Sequence, residues 1–278
     1  MSMFRTLSVM AIMAATGAFV ATIVPSAASA QEATWDRIKK RGSVIQGCIT
    51  QPPYWSKTAA GGEWKGWGIE AGKKLAEELK VKMECGETTW GTAALAIQSG
   101  KIDLLWAMQA TPLRATAITF AGPLYNHGFM TVNGKNFNGK NWVDYNKPGV
   151  KIAVQAGTSN ALVLKFVAPL ATALEIPNNT EVALNVVSGR ADAMITTVLN
   201  GIVAKDRNPE LGSFVIPQPL FSFPAYVGVP NETDRRYRDF MHWWTEWYRL
   251  QGDVEKWIRD ALLESGVKPE SIPDKLYF

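Results

Sequence analysis

Histidine and cysteine are scarce in this chain of 278 residues, with two of each. His127 and His242 lie far apart and the sequence shows no metal-ligand cluster of recognisable spacing, so no metal centre is expected. Neither histidine sits beside a nucleophile in a motif, which argues against Ser-His-Asp or Cys-His hydrolysis. Blocks of one charge are missing too. The 29 basic and 25 acidic residues are interspersed and leave a net charge of +4, without the basic arm or patch a nucleic-acid partner needs. Long apolar runs are confined to the first thirty residues. There a single positive charge, Arg5, precedes the apolar run Thr6–Val24, and Ala28-Ser29-Ala30 has the small-x-small pattern of signal peptidase sites. Residues 1–30 are therefore expected to be a signal peptide cleaved after Ala30; a retained anchor is the alternative, since the run is just long enough to span a bilayer. What is abundant is tryptophan: eleven residues, enough to suggest aromatic surfaces beyond those that fill a core.

Two short stretches echo each other, SGKID (Ser99 to Asp103) and SGRAD (Ser188 to Asp192). Each follows an apolar run of helical spacing and leads into another apolar run. Before the first, SVIQGCI reads as a buried strand, GIEAGKKLAEELK as a helix, VKMEC as a strand and WGTAALAIQSG as a helix closed by Gly100. KIDLLWAM is the next strand. From residue 150 the order repeats: the strand VKIAVQA, a helix opening at Thr158 or Ser159, the helix EVALNVVSG closed by Gly189, and the buried strand RADAMITT. Strands alternating with helices imply parallel sheets joined by right-handed crossovers. Between the two units, the segment from Tyr125 to Gly149 begins extended and becomes an Asn- and Gly-rich loop, and LFSFPAYVGVP is a second extended crossing. A later helix places Tyr237, Phe240, Met241, Trp244, Trp247 and Tyr248 on one stripe, which reads as packing. Cys48 and Cys85 fall in the two strand-like stretches SVIQGCI and VKMEC; they can pair in an oxidising compartment if those strands are neighbours, and the sequence leaves both states open.

The stretches PPYW, WKGWGIEAGKKLAEEL, QSGKID through TPLRA to ITFAGPLY, VKIAVQAGTS and SGRADAMITT resemble the periplasmic substrate-binding proteins of ABC importers, in the polar amino-acid-binding family (extracellular solute-binding family 3). They occur in the family's order over nearly all of the chain after residue 30. The resemblance implies an α/β, two-lobed periplasmic binding protein fold, each lobe a parallel-rich sheet flanked by helices, joined by two crossing strands. Residues 31–127 plus 223–278 would form lobe one and 128–222 lobe two, hinged near Gly128 and Phe223. Ligand would lie between the lobes at the carboxyl ends of the strands. A monomer in the periplasm, without cofactor, would then hand a small-molecule ligand to the membrane permease of an ABC importer.

The resemblance also implies site residues. Arg114 in TPLRA matches the arginine that grips a carboxylate, which its planar guanidinium can hold through both oxygens. Thr158 and Ser159 in AGTS match a clamp at a helix N-terminus, where an anion is favoured. Trp90 and Tyr54 are candidates for an aromatic wall, Ala107 and Gln109 for contacts to the ligand's amino group, and Gln155 for its distal end. One position departs from the family. Thr197 stands where amino-acid binders carry an acid for the α-ammonium, and Gly72 where an Asp is frequent, so Glu70 becomes the candidate to compensate. Trp55, Trp64, Trp67 and Trp90 offer cation–π attraction as another route to a cationic group. A polar amino acid or derivative ranks first as ligand, an amine-free organic acid or methylated amine after it. The rival class is an exported enzyme on the same fold, resembling cyclohexadienyl dehydratases, which would need an acid to protonate a leaving group. Thr197 leaves the obvious position without one, and no catalytic residue is assigned.

Overall fold

A computed structural model of the protein describes residues 32–58 and 62–274. The expected signal peptide and its cleavage after Ala30 lie outside the described residues. In chain order the elements are α1 (Thr34–Arg41), β1 (Ser43–Cys48), the two-residue strands β2 (Ser56–Lys57) and β3 (Trp64–Lys65), α2 (Trp67–Leu79), β4 (Lys82–Glu87), α3 (Ala93–Gln98), β5 (Leu105–Met108), α4 (Pro112–Ala115) and the long β6 (Ile118–Asn133). There follow α5 (Trp142–Tyr145), β7 (Lys151–Gln155), α6 (Ser159–Val167), β8 (Thr172–Ile176), α7 (Asn179–Val187), β9 (Ala193–Thr197), α8 (Val198–Arg207), β10 (Phe214–Val215), β11 (Ser222–Pro230), α9 (Arg236–Leu250) and α10 (Asp253–Glu264).

β1 and β4 pair in parallel, and Gln46 of β1 bridges Leu104 in parallel just before β5. β7 pairs in parallel with β8 and β9. Two antiparallel strands link these parallel groups. β11 runs beside both β5 and β6, and β6 pairs with β11 through Gly128 and then with β9 from Phe129 onward. The same backbone ribbon therefore belongs to both sheets, and the strand order reads β5-β11-β6-β9-β7-β8. Along β7 and β9 the side chains alternate. Ala153 and Met194 join a large core shared with Val44, Leu75, Leu105 and Met241, while Ile152, Val154, Ala193 and Ile195 join a smaller core with Phe129 and Leu164. That is the period of two expected of strands buried on both faces.

The echo between SGKID and SGRAD is a repeated joint. Gly100 and Gly189 adopt φ +72° and +73°, left-handed conformations that let the chain leave α3 and α7. Each aspartate then makes the same pair of contacts to a neighbouring strand. Asp103 accepts from the Ile45 N–H at 2.8 Å and gives its own N–H to the Ile45 carbonyl at 2.7 Å. Asp192 does so with Lys151, at 2.8 Å in both directions. Asp103 is fully buried and also ion-pairs with Arg37 and Arg41. Both carboxylates are spent on joining neighbouring strands, so the role of these acids is structural.

One expectation needs adjustment, and one open question is answered. On α9, Tyr237, Met241, Trp244 and Tyr248 are buried, but Trp247 is 63% exposed and Thr245 takes a buried place. At 3.6 residues per turn Trp247 falls roughly 100° from the centre of the stripe, too far to reach the core. Cys48 and Cys85, left open above, form a disulfide between β1 and β4 with their Cα atoms 5.6 Å apart. Among the described residues no helix is long and apolar enough to cross a membrane.

Candidate ligand-binding site

The carboxyl ends of β5, β7 and β9 converge with the loop after β1. Beyond β5, Thr111 caps α4 by accepting the Arg114 N–H at 3.3 Å, and Pro112 occupies its first turn. This tight turn directs Arg114 inward, where only 8% of it remains exposed. Its guanidinium donates to the carbonyls of Gln109 at 3.2 Å, Trp90 at 3.4 Å and Gly157 at 3.2 Å. All three acceptors are neutral. Burial pulls its pKa down to about 10, which leaves the cation charged at neutral pH.

Beyond β7, Gly157 turns the chain at φ +70°. Thr158 caps α6, accepting the Asn160 N–H at 3.2 Å while its hydroxyl donates to the Gln155 carbonyl at 2.6 Å. Ser159 donates its hydroxyl to Gln109 Oε1 at 2.9 Å. At the end of β9, Thr197 opens α8 and lies 3.5 Å from the Tyr54 hydroxyl. Burial pushes that hydroxyl up to about 12, so Tyr54 is protonated. Trp90 is fixed by an indole N–H donated to Gln51 Oε1 at 2.7 Å. His127, from β6, packs edge-on against Tyr125 with ring centres 4.8 Å apart and donates to the Ala107 carbonyl. Its burial lowers the imidazole to about 4, hence neutral at pH 7. Ala107 itself holds φ +60°, rare for a residue with a Cβ and typical of backbone kept in place at a functional site.

Nine of the ten residues singled out from the sequence line one cavity: Tyr54, Trp90, Ala107, Gln109, Arg114, Gln155, Thr158, Ser159 and Thr197. The cavity measures about 20 Å³, room for about one water, because its walls rest on one another. Glu70 does not join them. It lies on the outer face of α2 and pairs with Lys73 at 2.8 Å, since the inner face of that helix is taken by Trp67, Ile69, Leu75 and Leu79. Gly72 packs on the side chain of Gln46, where a Cβ would come within 2.3 Å of Oε1, so this position is core. The tryptophan cluster is core as well. Trp55 and Trp67 are fully buried behind Tyr54, and Trp64 carries the Lys57 ammonium 4.8 Å above its ring; of the four only Trp90 reaches the cavity. Sequence reasoning passed over Gln51, His127, Asn160 and Asn200, which also line it. The signal for Asn160 was available, since it falls in the first turn of a helix after a buried strand; Asn200 holds the same position on α8, a helix not read from the sequence. A larger groove of about 550 Å³ lies beyond Gln109 and Ser159, but Phe166, Phe221 and Phe223 make it apolar and none of its described lining residues is charged. The polar and charged side chains gather on the smaller cavity.

Two α/β halves linked by β6 and β11, closed over a polar cavity that holds one buried cation, have the architecture of two-lobed solute-binding proteins. Residues 44–216 match the family model of the bacterial extracellular solute-binding proteins, family 3, and the chain belongs to that family. It is 26% identical over 249 residues to the cyclohexadienyl dehydratase of Pseudomonas aeruginosa, covering 87% of this chain and 92% of the relative. To the glutamine-binding protein of Geobacillus stearothermophilus it is 27% identical over 212 residues, covering 74% and 79%. Among solved structures, an ancestral amino acid-binding protein described as a precursor of cyclohexadienyl dehydratase superposes with a TM-score of 0.73 at 30% identity, covering 85% of this chain and all of that one. The amino acid ABC transporter substrate-binding protein of Streptococcus pneumoniae, bound to L-arginine, gives a TM-score of 0.75 over 84% and 99% of the two chains; at 20% identity this speaks for the fold alone.

Proposed function

We propose that this protein is a periplasmic receptor that captures a small carboxylate-bearing solute, a polar amino acid or a derivative of one, and presents it as a monomer to the permease of an ABC importer. The observation that carries the reading is Arg114. A buried guanidinium satisfied only by carbonyl oxygens has lost its hydration without gaining a counter-charge. A carboxylate restores the balance through two parallel charge-assisted hydrogen bonds. The N-terminal pole of α6 at Thr158 and Ser159 favours the same charge. The glutamine-binding relative supports a ligand of the amino-acid class. The family's extracellular description and the Cys48–Cys85 bridge support export.

Capture requires motion, because a cavity of about 20 Å³ admits a solute only when its walls part. Residues 31–127 plus 223–278 and residues 128–222 are the two lobes in this reading. The hinge near Gly128 and Phe223 is supported by the register, since the β6–β11 ladder ends at Gly128 and Ser222 and pairing with β9 begins one residue later. Tyr54 with Thr197, Gln109 with Ser159 and Arg114 with Gly157 are the contacts that meet on closing. A ligand that touches both sides only in the closed form drives closure by its differential affinity.

The dehydratase relative supports a second reading, an exported enzyme. The ionisable side chains among the described lining residues are Arg114, His127 and Tyr54, so a proton donor would have to be drawn from these. A thermal-shift screen of protein stripped by unfolding and refolding separates the two, because bound solute raises the midpoint by mass action. Stabilisation by amino acids, their derivatives or organic acids, without turnover, is the expected result; dehydration of prephenate or arogenate would favour the enzyme.

A further inference from the structure

Beside Gln155, expected at the ligand's distal end, the cavity holds two amide side chains without an assigned role, Asn160 and Asn200. Gln155, Asn160 and Asn200 are 5%, 3% and 3% exposed, and their carbonyl oxygens accept no hydrogen bond from any described residue. Buried acceptors left this way are costly, so three of them on one cavity mark a place built to receive hydrogen-bond donors. The question is whether the donor carries charge.

The charges around the site answer it. The described lining residues are one cation, Arg114, and twelve neutral groups. Asn160 and Asn200 stand in the first turns of α6 and α8, whose N-terminal poles add positive potential at the same spot. An ammonium seated there would face Arg114 and two positive poles, with no acid among the described lining residues to pair it. Other acceptors of the wall already have partners: Gln51 Oε1 takes the Trp90 N–H, Gln109 Oε1 the Ser159 hydroxyl and the Ala107 carbonyl the His127 N–H, while Thr197 lies against the Tyr54 hydroxyl. A hydroxyl or carboxamide satisfies the amide oxygens without bringing charge, and the amide NH2 groups can donate back to it. A monoanion would leave the closed cavity electrically neutral.

We infer that Gln155, Asn160 and Asn200 form a specificity pole that reads a neutral donor, so the preferred ligand is a carboxylate bearing a hydroxyl or carboxamide in place of an ionised amine. This rests on Arg114 holding the carboxylate, and the test separates the two ideas. Matched pairs that differ only at the α-substituent are titrated calorimetrically into stripped full-length protein: L-lactate against L-alanine, phenyllactate against phenylalanine, and 2-hydroxyglutaramate against glutamine. In every pair that binds, the hydroxy acid is expected to be tighter by about tenfold or more. Asn200→Asp keeps the side chain's size and places an acid in a helix first turn, where it is tolerated; it should reverse the preference toward the amino acid. Equal or tighter binding of the amino acid by the wild-type protein, lost in Arg114→Gln, would overturn the inference and leave the carboxylate site standing. Binding that survives Arg114→Gln, or no binding by any carboxylate, would remove the underlying reading and this inference with it. If Asn200→Asp fails to fold, the wild-type ratios decide alone.

Discussion

His127 sits behind Tyr54 and Tyr125 with a pKa held near 4 by burial, against about 6.5 in an unfolded chain. Between those values the unfolded chain takes up a proton that the folded protein refuses. Its contribution to stability is therefore complete above about pH 6.5 and is lost progressively as the pH falls to about 4, by up to about 3 kcal/mol. His127→Gln should flatten that limb, read as the difference in melting temperature between about pH 7.5 and about pH 4.5. A variant that loses as much as the wild type would show that the ring is not excluded from water. The same residue shows why sequence reading misses parts of a site. In the chain His127 is a lone histidine on a crossing strand, and only the approach of Tyr54 and Ala107 gives it a place at the cavity. Glu70 erred the other way: an acid near the right motif, but on the solvent face of its helix.

At the scale of elements, the loops that carry Trp90 and Gly157 approach so closely that a side chain at Gly157 is excluded. A Cβ on Gly157 would lie 2.8 Å from the Gly91 Cα, and φ +70° already disfavours it. Gly157→Ala should therefore weaken ligand affinity by roughly tenfold through the closed state. Gly91→Ala, whose Cβ would meet nothing nearer than 3.9 Å, should bind as the wild type does; titration calorimetry of the two variants reads the contrast. The disulfide clamps β1 to β4 across a sequence separation of 37, and removing that constraint on the unfolded chain should cost roughly 3–4 kcal/mol. Denaturant unfolding of Cys48→Ser/Cys85→Ser measures it. The elements that were legible were those with punctuation: Gly100 and Gly189 close their helices, and Thr158 opens α6. β8 was not, because it is a largely exposed edge strand of five residues with little apolar pattern. α8 was hidden for another reason. It follows β9 with no connecting loop, and neither glycine nor proline marks the joint at Thr196-Thr197.

For the whole molecule, the order of motifs was enough to place the α/β class and the two crossings, since consecutive β–α units leave few topologies open. What the order could not convey is that β6 serves both sheets, a consequence of its 16-residue length and a change of partner at Gly128. Nor could it show which tryptophans face the cavity, because Tyr54 screens Trp55 and Trp67 from it. At the centre of the molecule a buried cation, Arg114, lies between the two halves with no acid among the described residues that line its cavity. The measurement that reaches it most directly is calorimetric titration of the wild-type protein and Arg114→Gln with a carboxylate that raises the wild-type melting temperature. Affinity should fall by about a hundredfold or more in the variant, while its ligand-free melting temperature stays within a few degrees of the wild type's. Undiminished affinity in Arg114→Gln would contradict the account.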